Sequence, residues 1–483
     1  MGRTMSTGRL GIVAARDRRT ARLPAFLVTL RPLRVLFVLR TLHVLSALCA
    51  LCALCACDDP PEPQPAPRGD VLLVVLDTTR ADHLSSYGYP RETTPQLDRL
   101  AAEGERYDDA WAHAPWTLPT MASILTGLPP HVHGAGRGPE GVYGILPDVK
   151  TLAEQMAAAG YRTGALINVV WCSPALSSLD RGFELYDYHE TDATNLGHRD
   201  ARRTTDAALG WLEQLGDDPF FLTVHYFDPH LTYDPPAPFD TMFEEGQGPR
   251  LRSGFGSAEE MFRVRDGRIR LDDAQRRSLV ARYDGELRFV DTQFGRLREA
   301  LERSGRWERT LVVVVADHGE EFWDHGGFEH GHTHHRELLQ VPLIVRQPGG
   351  PAGVVRSGRV RQIDIAPTVL RFAGIPAGDQ LPGRVLGEQG SRYAVAEGTL
   401  WAGDLVSLRD GRGSWFLHRD LGQAWFYAAD DPAEQRALPA DDPAAADVLE
   451  LLGAIPARPV GPDEPRRLSE EQLERLRSLG YVR

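Results

Sequence analysis

Lysine is almost missing from this 483-residue chain: of 54 basic residues only Lys150 is a lysine, so chemistry that needs an amine side chain has one address. Cysteine is scarce where a fold would use it. Four of the five, Cys49, Cys52, Cys55 and Cys57, lie in one apolar run, and only Cys172 lies beyond it. The body of the chain therefore has no internal disulfide. It also has no Cys/His zinc module, which needs several thiolates. Positive charge is short as well. A net charge of −13 argues against a general nucleic-acid binder and disfavours a polyanion bound over a wide area. Internal repeats are absent. What remains is ordinary: 42% hydrophobic and 25% charged residues exclude wholesale disorder. The length suits one large α/β domain plus a smaller one.

The positive charge that exists is gathered at the front. Arg22, Arg31, Arg34 and Arg40 precede an apolar stretch, TLHVLSALCALCALCAC, at 41–57. It is short for a membrane span and suits a signal h-region. Its end, Leu54-Cys55-Ala56-Cys57, resembles a bacterial lipoprotein signal-peptidase box with Cys57 as the lipidated first residue. A Pro-rich spacer follows, as a tether would. The expected organisation is a leader over 1–57, a linker over 58–69, a catalytic domain over 70–385 and a C-terminal subdomain over 386–483. The domain is then exported to the periplasmic or cell-surface side. It is held at the membrane by lipid on Cys57 or by the uncleaved segment as an anchor.

Past the linker the pattern is α/β. VLLVVL at 71–76, FFLTVH at 220–225 and LVVVV at 311–315 are short apolar runs of the kind buried on both faces of a sheet. Helical patterns at 94–104, 148–160, 201–215 and 276–303 alternate with them, which predicts a mostly parallel sheet flanked by helices. Ligands of such sheets bind beyond the carboxyl ends of the strands. Asp77, His225 and Asp317-His318 all fall at those ends, where core packing is a poor reason for polar residues. Residues 392–430 predict a small antiparallel sheet, 431–466 a surface loop, and 468–480 an amphipathic helix capped by Ser469 and Gln472.

Asp77, Asp317 and His318 offer two carboxylates and an imidazole, a donor set for a divalent cation of the Ca, Mg, Mn or Zn kind. Such a cation polarises an ester oxygen and activates a nucleophile. Trp116-Thr117-Leu118-Pro119-Thr120 supplies hydroxyls. With a helix starting near Pro119, Thr117 lies at its N-terminus, where backbone N–H groups favour an anion. Thr117 is then either a helix cap or a nucleophile that attacks phosphorus or sulfur. Six of the sixteen histidines crowd into 318–335. Directly after a metal-ligating strand end, some of them should meet the anion or protonate a leaving group.

The segments VLDTTRADHLSSYGY, TLPTMASILTGLPPHVHG, FFLTVHYFDPHLTYDPP, VVVVADHGEEFWDHGG, HHRELLQVPLIVR and QIDIAPTVLRFAGI resemble the sulfatase family of the alkaline phosphatase superfamily. AWFYAADDPAEQRAL resembles that family's C-terminal D-P-x-E-x-x-N-L segment. The resemblance runs from about residue 70 to the C-terminus. It implies a three-layer α/β/α sandwich with a mostly parallel mixed sheet and a small C-terminal α+β subdomain. It also implies one or two divalent metals at the strand ends; His325, His332, His334 and His335 are histidines to spare for a second, which the family pattern does not assign to any of them. By the same resemblance Asp77, Asp317 and His318 are metal ligands, and Thr117 is both nucleophile and ligand. His230 and His330 bind the transferred anion and assist the leaving group, and Arg80 lies near the nucleophile as a substrate-binding residue.

The departures bear on the chemistry. Sulfatases carry Cys or Ser in C/S-x-P-x-R, which is converted to formylglycine. Here the residues are Thr117-Leu118-Pro119-Thr120-Met121, and threonine's β-methyl group blocks oxidation to an aldehyde. The G-K-W-H segment expected after Tyr161-Arg162-Thr163-Gly164 is replaced by ALINVVWC. A plain threonine suits phosphoryl transfer, because water can attack phosphorus in the second step. The favoured activity is a metal-dependent phosphoester or phosphodiester hydrolase or phosphotransferase. The alternatives are a sulfuric ester hydrolase acting on a sulfated glycan or aryl sulfate, and a non-catalytic anion-binding member. The expected partner is a small, glycan-linked or lipid-linked ester, with no nucleic acid.

Overall fold

Runs of β-branched residues build the centre of the molecule. The computed structural model describes residues 69–138, 141–189, 199–244, 251, 255, 258–378, 380–440 and 445–456. The leader, the linker up to residue 68 and the helix expected at 468–480 lie outside these residues.

The main sheet has eight strands. They are β1 (Asp70–Leu76), β2 (Glu105–Tyr107), β3 (Arg162–Ile167), β4 (Leu185–Tyr188), β5 (Phe220–Tyr226), β6 (Thr310–Ala316), β7 (Leu343–Arg346) and β8 (Val354–Arg356). Their spatial order is β8-β2-β7-β6-β1-β5-β3-β4. Only β7 runs against its neighbours; the other pairings are parallel. The central strands β1, β5 and β6 are buried along their whole length. Each fully buried Val or Leu there contributes about 1.5–3 kcal/mol.

The flanking helices are α1 (Pro95–Glu103), α2 (Thr117–Thr126), α3 (Leu152–Ala158), α4 (Ala201–Leu212), α5 (Ala258–Arg265), α6 (Asp273–Arg303) and α7 (Ile365–Ala373). Helices α1, α4 and α6 form one layer, and α2, α3 and α7 pack together as another. Local chemistry starts them. Thr151 and Glu154 close a capping box on α3, as Asp272 and Gln275 do on α6. Asp291 of α6 accepts the N–H groups of Gln96 and Leu97 at 2.9–3.0 Å, so one helix caps another. Gly127 ends α2 at φ 72°, where a Cβ would also stand 2.8 Å from the Ala366 Cβ.

A second, antiparallel sheet of five strands follows: β9 (Ala394–Glu397), β10 (Leu405–Arg409), β11 (Gly413–His418), β12 (Gln423–Ala428) and β13 (Leu438–Pro439). The surface loop expected over 431–466 is not all loop. Ala446–Ala454 forms a helix, α8, that buries Val448 and Leu452 against Val406, Leu408 and Trp415 of this sheet. The Ala, Pro and Asp residues around it hide the Val448–Leu452 helical spacing in a composition reading. Among the described residues no helix is long and apolar enough to cross a membrane.

Candidate active site

Three neighbouring strands deliver the site. Asp77 follows β1, His225 lies near the end of β5, and Asp317 follows β6, so the register of the central sheet brings them to one edge. Ligand atoms of Asp77, His225 and Asp317 all lie within 4.8 Å of one another, and all three side chains are buried. Asp317 is held by Thr78 N–H at 3.1 Å and His318 N–H at 2.7 Å, both donating to Oδ1. Its Oδ2, both Asp77 oxygens and both His225 ring nitrogens have no hydrogen-bond partner among the described residues. Burial pushes the Asp77 carboxyl up to about 7. Burial and the Asp77 charge push Asp317 up to about 7 as well. Burial lowers His225 to about 4, which keeps its imidazole neutral. Two buried carboxylates with three oxygens left without a hydrogen bond, beside a neutral imidazole whose Nε2 lies 3.3 Å from Asp77 Oδ2, fit a divalent cation.

His318 and Thr117 meet at the same place. His318 Nε2 lies 3.3 Å from Asp317 Oδ2, 3.8 Å from Asp77 Oδ1 and 3.3 Å from Thr117 Oγ1. Its Nδ1 faces Gly319 O at 2.9 Å, which assigns the N–H to Nδ1 and the lone pair to Nε2. The glycine after His318 is required by space, because a Cβ there would stand 1.9 Å from Glu337 O. Thr117 is the first residue of α2, as the sequence predicts, with its hydroxyl at the positive end of that helix.

His330 and His230 complete a row of imidazoles. Ring centroids are 4.6 Å apart for His318 and His330, and 5.0 Å for His330 and His230. Glu320 Oε1 lies 2.9 Å from His330 Nδ1, and Tyr233 donates to Glu320 Oε2 at 2.7 Å. His230 Nδ1 donates to Leu231 O at 2.9 Å. Both rings are therefore fixed in orientation. Burial and the His330 charge lower His230, and burial and His318 lower His330.

Other sequence candidates are engaged by different partners. Arg80 is buried, but its guanidinium is bound by Asp82, Asp324 and Glu320 O, and no hydrogen bond takes it to Thr117. The histidines considered for a second metal have protein partners. His325 faces Glu337, His332 faces Glu321, His334 faces Ser407 and Gly398 O, and His335 faces Glu434. Cys172 is a buried free thiol raised by burial and then by Asp317 and Asp77, which makes it inert. His225 is the ligand candidate that the sequence reading left without a role, although its place at a strand end was the available signal. Glu320 and Tyr233 lie inside quoted motifs, but only the fold shows what they touch.

Fold and site together define an ester hydrolase of alkaline phosphatase-like architecture with a metal-type cluster at its strand ends. The chain belongs to the sulfatase family, whose sequence model matches residues 69–375. It is 25% identical over 372 residues to an arylsulfatase of Clostridium perfringens, covering 65% of this chain and 76% of that one. It is 27% identical over 393 residues to the multifunctional alkaline phosphatase superfamily protein PehA of Trinickia caryophylli, covering 64% and 74%. Among solved structures it resembles the phosphonate monoester hydrolase of Silicibacter pomeroyi, with a TM-score of 0.63 and 22% identity over 80% of this chain and 94% of the other.

Proposed function

We propose that the protein is a phosphoester or phosphodiester hydrolase or phosphotransferase in which Thr117 is the nucleophile. One observation carries this reading. The hydroxyl at the head of α2 is a plain threonine, 3.3 Å from His318 Nε2 and beside the Asp77–His225–Asp317 cluster. The PehA and phosphonate monoester hydrolase likenesses support phosphorus chemistry, and the arylsulfatase likeness supports the alternative, sulfate ester hydrolysis.

Asp77, His225, Asp317 and His318 would hold a divalent cation, which supplies charge neutralisation and a more acidic hydroxyl when bound. Thr117 Oγ1 attacks phosphorus in line with the departing alcohol, so the Oγ1–P bond forms as the P–O bond to the alcohol breaks. The proton lost from Thr117 ends on the departing oxygen. His230 and His330, locked by Leu231 O and Glu320, orient the transferring group. Water or an acceptor alcohol then attacks the phosphothreonine, and a proton returns to Thr117. The basic-flanked apolar run ending at Cys57 supports an exported, lipid-anchored enzyme.

The test is paired turnover of bis-p-nitrophenyl phosphate and p-nitrophenyl sulfate over Mg, Mn, Ca and Zn. Diester turnover should fall by about a thousandfold or more in Thr117→Ala, the size expected for loss of a nucleophile. Turnover of the sulfate alone, or a fully active Thr117→Ala, would overturn the proposal.

A further inference from the structure

We infer that Tyr283 of α6 is a positioning residue for the cation cluster: its hydroxyl holds the turn after Asp77 in the shape that orients Asp317. The inference rests on the reading of Asp77, His225 and Asp317 as a cation site. Tyr283 is fully buried, and its hydroxyl is used twice. It donates to Thr78 O at 2.9 Å and accepts the Arg80 N–H at 2.9 Å. One phenol thus ties both ends of the turn that leaves Asp77. Thr78 is a residue that needs holding. Its φ is +45°, in the left-handed region that β-branched residues rarely adopt. Its own side chain does not favour that conformation, because Thr78 Oγ1 has no hydrogen-bond partner among the described residues.

The strained backbone serves the neighbouring strand. Thr78 N–H reaches Asp317 Oδ1 at 3.1 Å, beside the His318 N–H on the same oxygen at 2.7 Å. Two donors on Oδ1 fix the carboxylate plane and leave Oδ2 for the cation. The Thr78 backbone is therefore strung between Asp317 through its N–H and Tyr283 through its C=O. The Tyr283 ring is fixed as well. It stands edge-on to Tyr233 at 5.6 Å and 87°, and to Phe322 at 4.9 Å and 72°. Tyr233 is the residue that donates to Glu320 behind His330. Glu286, one helical turn beyond Tyr283, accepts the Asp234 N–H at 2.7 Å. The face of α6 that clamps the cation turn thus also anchors the segment that carries His230 and Tyr233.

The experiment is calorimetric titration of Mn2+ into the EDTA-stripped protein. Tyr283→Phe keeps the ring and removes the hydroxyl. Its Mn2+ affinity should fall about 10–100-fold, the size expected when a group that orients a metal ligand is lost. Adding Thr78→Gly should recover most of that loss, because glycine adopts a positive φ without strain. Tyr89→Phe is the control. It removes a hydroxyl bonded at 2.7 Å to Asp284, the neighbour of Tyr283 on α6, and should bind Mn2+ as the wild type does. A second measurement needs no variant to fold. In the metal-free wild type the amides of Thr78 and Arg80 should exchange slowly, since both are held in place. The inference is overturned by wild-type affinity in Tyr283→Phe, by an equal loss in Tyr89→Phe, by no recovery with Thr78→Gly, or by rapid exchange at either amide. Equal Mn2+ binding by wild type and Tyr283→Phe would remove the positioning role and leave the cation site. A wild type that does not bind Mn2+ would remove both.

Discussion

Asp77 and Asp317 are buried side by side, and neither Asp77 oxygen has a hydrogen bond among the described residues. Without a cation that arrangement is destabilising, because burial and like charge both oppose ionisation. Asp77→Asn should therefore raise the melting temperature in EDTA by about 2 °C or more, while abolishing the rise that Mn2+ gives the wild type. A lower melting temperature in EDTA with the full Mn2+ response would remove the cation site. Glu320 makes a second residue-scale claim. It ties His330 to Tyr233 through two hydrogen bonds inside the protein. Glu320→Gln should lower kcat about 10–100-fold, as loss of a carboxylate that orients a histidine does. KM and the circular dichroism spectrum should stay close to wild type; a proportional rise in KM would point to binding and not to positioning. Asp77, Asp317 and His318 are legible as candidates because each sits at a strand end that can itself be read, whereas Thr117 at a helix start reads as either a cap or a nucleophile and only the family resemblance favours the second. His225 carried the same positional signal. Its pairing with Asp77 depends on the β1–β5 register, which no local pattern encodes.

Elements are joined in this protein by buried charge as much as by apolar contact. Glu434, in the turn after β12, accepts the Arg336 N–H at 2.9 Å and faces His335 Nδ1 at 3.1 Å and Arg409 of β10 at 3.2 Å. One carboxylate thus fastens the histidine-rich segment to the second sheet. Burial opposes its ionisation, but Arg409 and His335 outweigh burial and hold the carboxyl down at about 2. A depressed carboxyl contributes stability above its unfolded value and loses it as pH falls through the folded one. Comparison of wild type with Glu434→Gln by chemical denaturation should show a gap of about 3 kcal/mol at neutral pH. The gap should close between pH 4.5 and about 2. His325 behaves with the opposite sign. Burial works against its charge, yet Glu337 at 2.6 Å and Glu434 O at 2.8 Å raise it to about 9. Its contribution is full below pH 6.5 and disappears as pH rises through about 9. Wild type and His325→Gln should converge in stability there; a constant difference would show that packing, not charge, is responsible. The central strands and long helices were legible because their hydrophobic period is strong. The helix over Ala446–Ala454 was not, because two buried residues in an Ala-rich stretch are a weak signal until the second sheet supplies the surface they cover.

At the scale of the molecule, the two sheets share contacts that neither can satisfy alone. His334 is fully buried between Ser407 Oγ at 3.0 Å and Gly398 O at 2.9 Å, and burial lowers it to about 3, so it is a neutral bridge. Arg409 of β10 donates to His334 O and stacks over Trp111 at 4.3 Å. Glu397, at the end of β9, holds both the backbone and the ring of His131 at 3.0 and 2.7 Å. Separating the sheets would leave these groups buried without partners or force them into water, at about 1–3 kcal/mol for each unsatisfied one. The histidine-rich segment that carries His330 lies between the two. The described residues also fall in one compact unit. The C-terminal sheet should therefore not melt on its own. Calorimetry of the whole protein should give one transition with matching calorimetric and van't Hoff enthalpies, and far-UV and tryptophan signals should follow the same curve. Two resolved transitions would mean that the bridging histidines and Glu434 do not couple the sheets. A chain ending at residue 385 should then keep its cation-dependent melting shift. With a single transition, that truncated chain should lose both the shift and turnover. The D-P-x-E segment, distant in sequence from every reacting group, would then be required for the order of the site.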